Sequence, residues 1–262
     1  MIYFYLLIFS VLNFFLLQGY RRIIIKKKLL DDRNINFGYN PTPTGSGIII
    51  LIVFLIINIF FFYLLGENFI KILPNKFFVF YLSVLILGSI SFIDDFKPVS
   101  AIFRLLIQIT VIFFSLSLLD LGKIDILLKL KLFLFTIIWI YLLNITNFVD
   151  GCDGFLTSIL IFFFLGIVFV FEYLNFDLTF TYYVSISCIF LLLSFILLNK
   201  PIAKIYMGDT GSVFFGYILG FVFLDMCLSY NLWYVVLGLF SYPITDCSKA
   251  LFIKTIINKH YP

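Results

Sequence analysis

The stretch LFLFTIIWIYLLNITNFVDGCDGFLTSILIFFFLGIVFVF, residues 132–171, contains two apolar runs, 132–149 and 155–171, joined by Asp150, Gly151, Cys152, Asp153 and Gly154. Each run approaches the ~20 residues that an α-helix needs to cross the hydrocarbon of a bilayer. Neither alternates polar and apolar residues as a strand of a membrane barrel does. The stretch therefore reads as two spanning helices hinged at a polar turn. The same measure applied outward finds further spans at 2–18, 47–65, 77–93, 102–119, 182–198, 212–228 and 232–253, about nine in all. Of the 262 residues, 63% are hydrophobic and 12% charged, and the mean hydropathy is +1.15. A chain this poor in charge cannot cover a soluble globule with a polar exterior, so the fold class is all-α, a polytopic transmembrane helical bundle. Short linkers and the absence of a repeat make residues 1–262 a single integral-membrane domain. The first run has no basic residues before it and no small-residue cleavage site after it, so it is expected to stay as a helix. Cys152, Cys188, Cys227 and Cys247 show no paired spacing, which points to packing rather than to a disulfide framework or a zinc site.

Strict alternation of the spans sorts the basic residues by side. Arg21, Arg22, Lys26, Lys27, Lys28, Arg33, Lys97, Arg104, Lys200, Lys204, Lys249, Lys254 and Lys259 fall on one side, and Lys71, Lys76, Lys123, Lys129 and Lys131 on the other. The positive-inside tendency makes the first side cytoplasmic and the N-terminus external. Asp94, Asp95, Asp150, Asp153, Asp209 and Asp246 then share the cytoplasmic face, although acids played no part in setting the topology.

The turn itself explains part of this. Asn144, Asn147 and Asp150 are three residues apart, so neighbours sit on adjoining helical turns. Gly151 and Gly154 permit the positive backbone angles of a helix end. Asp153 is expected beyond the helix, and the whole is expected to form a polar mouth. A lone Asp-Gly turn is more simply a solvated cap, but carboxylates at a membrane mark sites by default. Clustered carboxylates repel unless a cation neutralises them or some take up protons. A hard divalent ion with oxygen ligands satisfies that demand, and magnesium usually arrives with a phosphate-bearing substrate. In PTPTGSG, residues 41–47, Gly45, Ser46 and Gly47 leave backbone amides open at the start of a helix, an expected anion cradle that competes with a plain loop-to-helix turn. KIYMGDTGS, residues 204–212, repeats the arrangement, with Asp209 either in a site or a simple N-cap.

Taken in order, PTPTGSG, IDDF followed by Arg104 and Gln108, NITNFVDGCDGF, NKPIAKIYMGDTGS and PITD resemble the polyprenyl-phosphate N-acetylhexosamine-1-phosphate transferases. That family includes enzymes that start O-antigen, common antigen and teichoic acid linkage units, and the enzyme that makes lipid I. The resemblance implies transfer of a sugar 1-phosphate from a UDP-N-acetylhexosamine to undecaprenyl phosphate with release of UMP. It further implies Mg2+, with Mn2+ as the alternative, an inner-membrane location, and an active site on the cytoplasmic face. Asp209 matches the family's metal ligand, and Asp94 and Asp95 its catalytic acidic pair. Asn147, Asp150 and Asp153 match the nucleotide-sugar pocket, Asp150 being counted also among the catalytic carboxylates. The resemblance also implies Asn144, Asn199 and Thr44 as further substrate contacts and Lys204 near the diphosphate. Membrane lipid is an expected partner, nucleic acid is not, and a homodimer is an assembly the resemblance allows.

Two departures accompany the match. Phe96, Lys97 and Pro98 stand where many relatives carry a third aspartate. Relatives also continue past the ninth span into a cytoplasmic loop with a histidine-rich motif and a further helix. The chain is expected to lack both, either as a fragment or as an inactive truncated homologue, and its one histidine, His260, is expected to be a surface residue. The competing classes are an aspartate-rich membrane prenyltransferase and a transporter with a polar cation pathway. The first leaves the glycine-rich segments unexplained, and the second expects acids deep in spans, where only Asp225 is a candidate.

Overall fold

The structure is a computed structural model and describes residues 2–27, 30–31, 41–65, 74–117 and 126–254. Helices α1 (Ile2–Lys27), α2 (Gly47–Leu65), α3 (Pro74–Asp94), α4 (Ala101–Ser117), α5 (Ile126–Val149), α6 (Phe155–Tyr173), α7 (Phe180–Asn199) and α8 (Gly208–Leu228) coincide with eight of the expected spans. Six of them are long and apolar enough to cross a membrane over their described length. Together with the apolar side chains exposed around the bundle, such as Phe15, Ile59, Phe113 and Phe162, they make a multi-pass membrane protein. One two-residue antiparallel ladder, β1 (Leu30–Asp31) with β2 (Thr42–Pro43), leads into α2. His260 lies outside the described residues.

The ninth expected span is not one helix. It divides into α9 (Trp233–Leu239) and α10 (Ser241–Phe252) around Phe240, whose φ of -108° and ψ of 13° leave the helical region. Pro243 gives the reason: its ring would collide with the carbonyl four residues earlier, that of Leu239, so a helix cannot run straight through. The length of the apolar run, 232–253, is that of a span, and the proline within it is what divides the helix.

Helices α7 and α8 form the centre, with 78% of each buried against 17% for α1. Inside hydrocarbon there is no hydrophobic drive between helices, so close backbone approach has to hold them. Gly216 and Gly220, four apart on α8, supply it: a Cβ on Gly216 would stand 2.2 Å from Thr146 Oγ1, and one on Gly220 2.0 Å from Trp139 Cδ1. The Trp139 indole N–H fits against this face and donates to the Tyr217 carbonyl at 3.0 Å. Further along, Ser115 of α4 exchanges hydrogen bonds with Tyr217 at 2.9 Å and with Ser83 of α3 at 3.1 Å. These ties fix α3, α4 and α5 around α8 and so set where the ends of those helices emerge.

Candidate active site

The polar segments picked out in the sequence meet at one end of the bundle. Helix α5 ends at Val149 and the chain turns through 150–154, with Gly154 at a φ of 69°. Gly151, expected to share that conformation, keeps a negative φ. The Asp153 carboxylate accepts from the Ala203 amide at 2.8 Å, pinning this turn to the 200–206 loop. Asn199 is buried; its side-chain oxygen accepts from Thr157 at 2.7 Å and its amide donates to the Ile205 carbonyl at 3.0 Å. The loop in turn rests on residues 41–47, since the Tyr206 amide donates to the Pro43 carbonyl at 2.8 Å. Asn199 and Asp153 therefore tie α6 and the 150–154 turn to the 200–206 loop, on which Lys204 is exposed.

Contrary to the expected anion cradle, the amides of Ser46 and Gly47 in PTPTGSG are not open. The Ser46 amide donates to the Tyr206 carbonyl at 3.3 Å and the Gly47 amide to the Met207 carbonyl at 2.9 Å. The glycines serve a different end. A Cβ on Gly47 would stand 2.2 Å from the Gly211 nitrogen, so the N-termini of α2 and α8 touch backbone to backbone. Thr44 is buried beneath them, its carbonyl accepting from the Tyr20 hydroxyl at 2.9 Å.

The start of α8 is capped, but not by its own chain neighbours. Asp95, just past the end of α3, accepts from the Asp209 amide at 2.7 Å, the Thr210 amide at 3.2 Å and the Thr210 hydroxyl at 2.5 Å. Asp209, which the sequence allowed as a simple N-cap, is thereby freed to point its carboxylate elsewhere. Gly208 makes this fit possible, because it sits at a φ of 71° and a Cβ there would lie 2.5 Å from Asp95 Oδ1. Burial pushes the Asp95 carboxyl up to about 6, against the pull of the donors on Thr210 and Asp209, and the Asp209 charge adds to the rise.

Asp94, the preceding residue, faces the other way. One oxygen accepts from the Val99 amide at 2.6 Å and the other pairs with the Arg104 guanidinium. The same Arg104 nitrogen reaches Asp209 at 2.9 Å, so a single cation bridges the end of α3 to the start of α8. Neither Arg104 nor Gln108 is among the site residues expected from the sequence. Two signals could have singled them out. Arg104 lies in the first turn of α4, where the helix dipole disfavours a cation. Arg104, Gln108 and Ser115 also fall on one face of a largely apolar helix.

Behind the bridge a cleft of about 100 Å³ runs between α3, α4, α5 and α8. Ser91, Arg104, Gln108, Asn144 and Asn147 provide its polar lining, and Leu87, Ile90, Leu105, Ile107 and Val213 its apolar walls. Asn144 donates to Gln108 at 3.2 Å, and Asn147 accepts from Ser212 at 2.8 Å. Asp150 stands half-buried in the turn below. Asp246 is exposed on α10, and among the described residues no hydrogen bond or ion pair joins it to the other carboxylates. Asp225, the one deep acid a transporter reading could use, accepts from Thr181 at 2.5 Å and Ser229 at 2.8 Å near the far end of α8.

Among the described residues no three of His, Cys, Asp and Glu converge as a metal-holding group. The donor chemistry at the bridge nevertheless fits a hard cation of the magnesium type. Such an ion usually takes one or two carboxylates and completes its shell with water and phosphate. Asp94 and Asp209 outnumber the single guanidinium that bridges them, and the Asp209 side chain is 32% exposed.

The carboxylates and the arginine thus meet at one end of a bundle of membrane-length helices. The chain itself belongs to glycosyl transferase family 4, whose family model matches residues 77–227, more than half of its length. It is similar to the phospho-N-acetylmuramoyl-pentapeptide-transferase of Leuconostoc mesenteroides subsp. mesenteroides, with 38% identity over 91 residues, covering 34% of this chain and 28% of that protein. The enzyme of the same name from Leuconostoc citreum is 35% identical over 94 residues, with the same two coverages. The match thus spans 28% of the length of these relatives.

Proposed function

We propose that this chain transfers an N-acetylhexosamine 1-phosphate from a UDP-sugar to undecaprenyl phosphate, releasing UMP. The reaction would take place at the cytoplasmic face of a bacterial plasma membrane, as the first membrane step in making a cell-surface polysaccharide or the cell wall. The observation that carries the reading is the bridge Asp94–Arg104–Asp209, whose arginine also lines a cleft with polar lining and apolar walls. An acceptor with a phosphate head and a hydrocarbon tail needs both kinds of surface side by side. Family membership supports the same reading.

The charges dictate the division of labour. Two anions, a lipid phosphate and a nucleotide diphosphate, have to approach each other. Arg104 is the protein cation at their meeting point, and Gln108, Asn144 and Asn147 offer neutral donors that add no repulsion. Asp209 is the residue that would hold Mg2+, and the ion would supply charge screening and stabilise the departing UMP. Of the acidic pair, Asp94 removes any remaining proton from the lipid phosphate. An oxygen of that phosphate then attacks the sugar-bearing phosphorus, the bond to the bridging diphosphate oxygen breaks, and UMP departs with the electron pair. The turns at 150–154 and 200–206 receive the nucleotide sugar, with Asp150, Asp153, Thr44 and Asn199 shaping the surface and Lys204 near the diphosphate.

The test is to offer purified membranes labelled UDP-N-acetylglucosamine and undecaprenyl phosphate. Magnesium-dependent label in the lipid fraction is the expected outcome, and its absence with every UDP-N-acetylhexosamine would reject the reading. UMP release without lipid acceptor, or a trapped aspartyl adduct, would replace direct attack with two displacements.

A further inference from the structure

We propose that Asp95 is a positioning residue: it caps α8 from another helix, orienting the Asp209 carboxylate, and takes no proton from substrate. The inference rests on Asp209 being the metal-binding carboxylate of the proposed reaction, and it divides the acidic pair into two unlike roles.

Four observations carry it. Both Asp95 oxygens are engaged, one by the Asp209 amide and the other by the Thr210 amide and hydroxyl. The first amides of a helix have no partner within the helix, and the usual remedy is an oxygen on the residue just before it. Here that residue is Met207, which has no such group, and its side chain makes no cap. Space has been made for a partner from elsewhere: the absent side chain of Gly208 leaves the room that Asp95 fills, and Gly45 closes over it with a Cβ position 3.4 Å from Asp95 Oδ2. Finally, the bridge from Arg104 meets Asp209 and Asp94, and among the described residues no ion pair joins Arg104 to Asp95.

The consequence is mechanical. Asp209 lies in the first turn of α8, and its amide is one that Asp95 holds. Loss of the cap lets that turn fray, so the carboxylate at its tip no longer has one direction. Groups that orient a metal ligand without touching the metal typically change metal affinity by about 10- to 100-fold when removed.

The full chain in detergent can be tested on three readouts. Hydrogen–deuterium exchange follows the amides around 208–211, Mn2+ binding is followed by electron paramagnetic resonance titration, and lipid labelling gives the Mg2+ concentration for half-maximal rate. In Asp95→Ala, exchange at 208–211 should rise and Mn2+ affinity should fall about tenfold. The half-saturating Mg2+ concentration should rise in step, while the rate at saturating Mg2+ falls much less. Asp95→Asn should recover most of all three, because its amide oxygen still accepts a backbone N–H and the Thr210 hydroxyl can turn to accept from the amide nitrogen. Should Asp95→Ala not fold, Thr210→Val removes one bond of the cap and should move the same readouts in the same direction, by less. The proposal is overturned if Asp95→Asn is as inactive as Asp95→Ala while Mn2+ affinity stays at the parent value, the pattern of a proton acceptor. It is also overturned if exchange rises with no change in Mn2+ affinity, the pattern of a fold-stabilising cap alone. Absence of lipid labelling in the parent chain rejects the transfer reading by itself, and the exchange and Mn2+ results still decide the role of Asp95.

Discussion

A methyl group on Gly47 has no place to go. In Gly47→Ala the new Cβ would stand 2.2 Å from the Gly211 nitrogen, 2.4 Å from Gly211 Cα and 2.9 Å from the Met207 carbonyl oxygen, all of them backbone. Carbon atoms pack best at about 3.5–4.0 Å, so α2 and α8 must part by more than about 1 Å, and no side chain can rotate to absorb it. Overpacking of this kind costs roughly 1–3 kcal/mol. The separation also stretches the hydrogen bonds from Gly47 to Met207 and from Ser46 to Tyr206, each worth about 1 kcal/mol. Alanine's better helix propensity returns less than about 1 kcal/mol. The net loss is then about 3 kcal/mol, and Asp209, two residues from Gly211, moves with the backbone. A displacement of that size can lower a rate about 100-fold. Thermal unfolding in mild detergent, followed by dye labelling of the buried thiols Cys188 and Cys247, reads the stability, and lipid labelling reads the rate. Gly19→Ala is the control, because nothing lies within 4 Å of its Cβ position. If Gly47→Ala melts with the control and keeps its activity, the reasoning from close backbone approach is wrong.

Arg104→Ala leaves Asp94 and Asp209 without the cation that bridges them; the metal-free protein should melt lower, and added Mg2+ should raise its melting temperature by more than it raises the parent's. An equal Mg2+ shift in both proteins would count against the bridge as the cation's place. Asp95 binds its proton more tightly in the folded chain, with its carboxyl at about 6, than in the unfolded one near 3.8. Its contribution to stability is therefore complete below the lower value and lost as pH rises through about 6, so a melting curve series from pH 4 to 8 should show that decline in the parent and not in Asp95→Asn. Asn199→Leu removes the partner of both Thr157 and the Ile205 carbonyl in a buried place, for a loss of about 2–3 kcal/mol, and limited proteolysis should then cut within 200–206.

Much of the architecture follows from composition and run length alone. With 63% hydrophobic residues, the backbone of each apolar run can satisfy its own hydrogen bonds only as a helix, and eight expected spans are helices at their expected places. The polar segments were equally legible, because Asp94, Asn144, Asn147, Asp150 and Asp209 stand out against apolar neighbours. What those residues do with one another was not. Open amides in PTPTGSG and an N-cap at Asp209 are both sound local readings, and both are overruled by contacts more than 100 residues away in sequence: Ser46 with Tyr206, and Asp95 with Asp209. Local propensity describes the groups a segment must satisfy. Which partner satisfies them depends on which helix ends arrive together, and that is decided by the glycine contacts along α8, where backbone meets backbone and a single methyl group would change the distance.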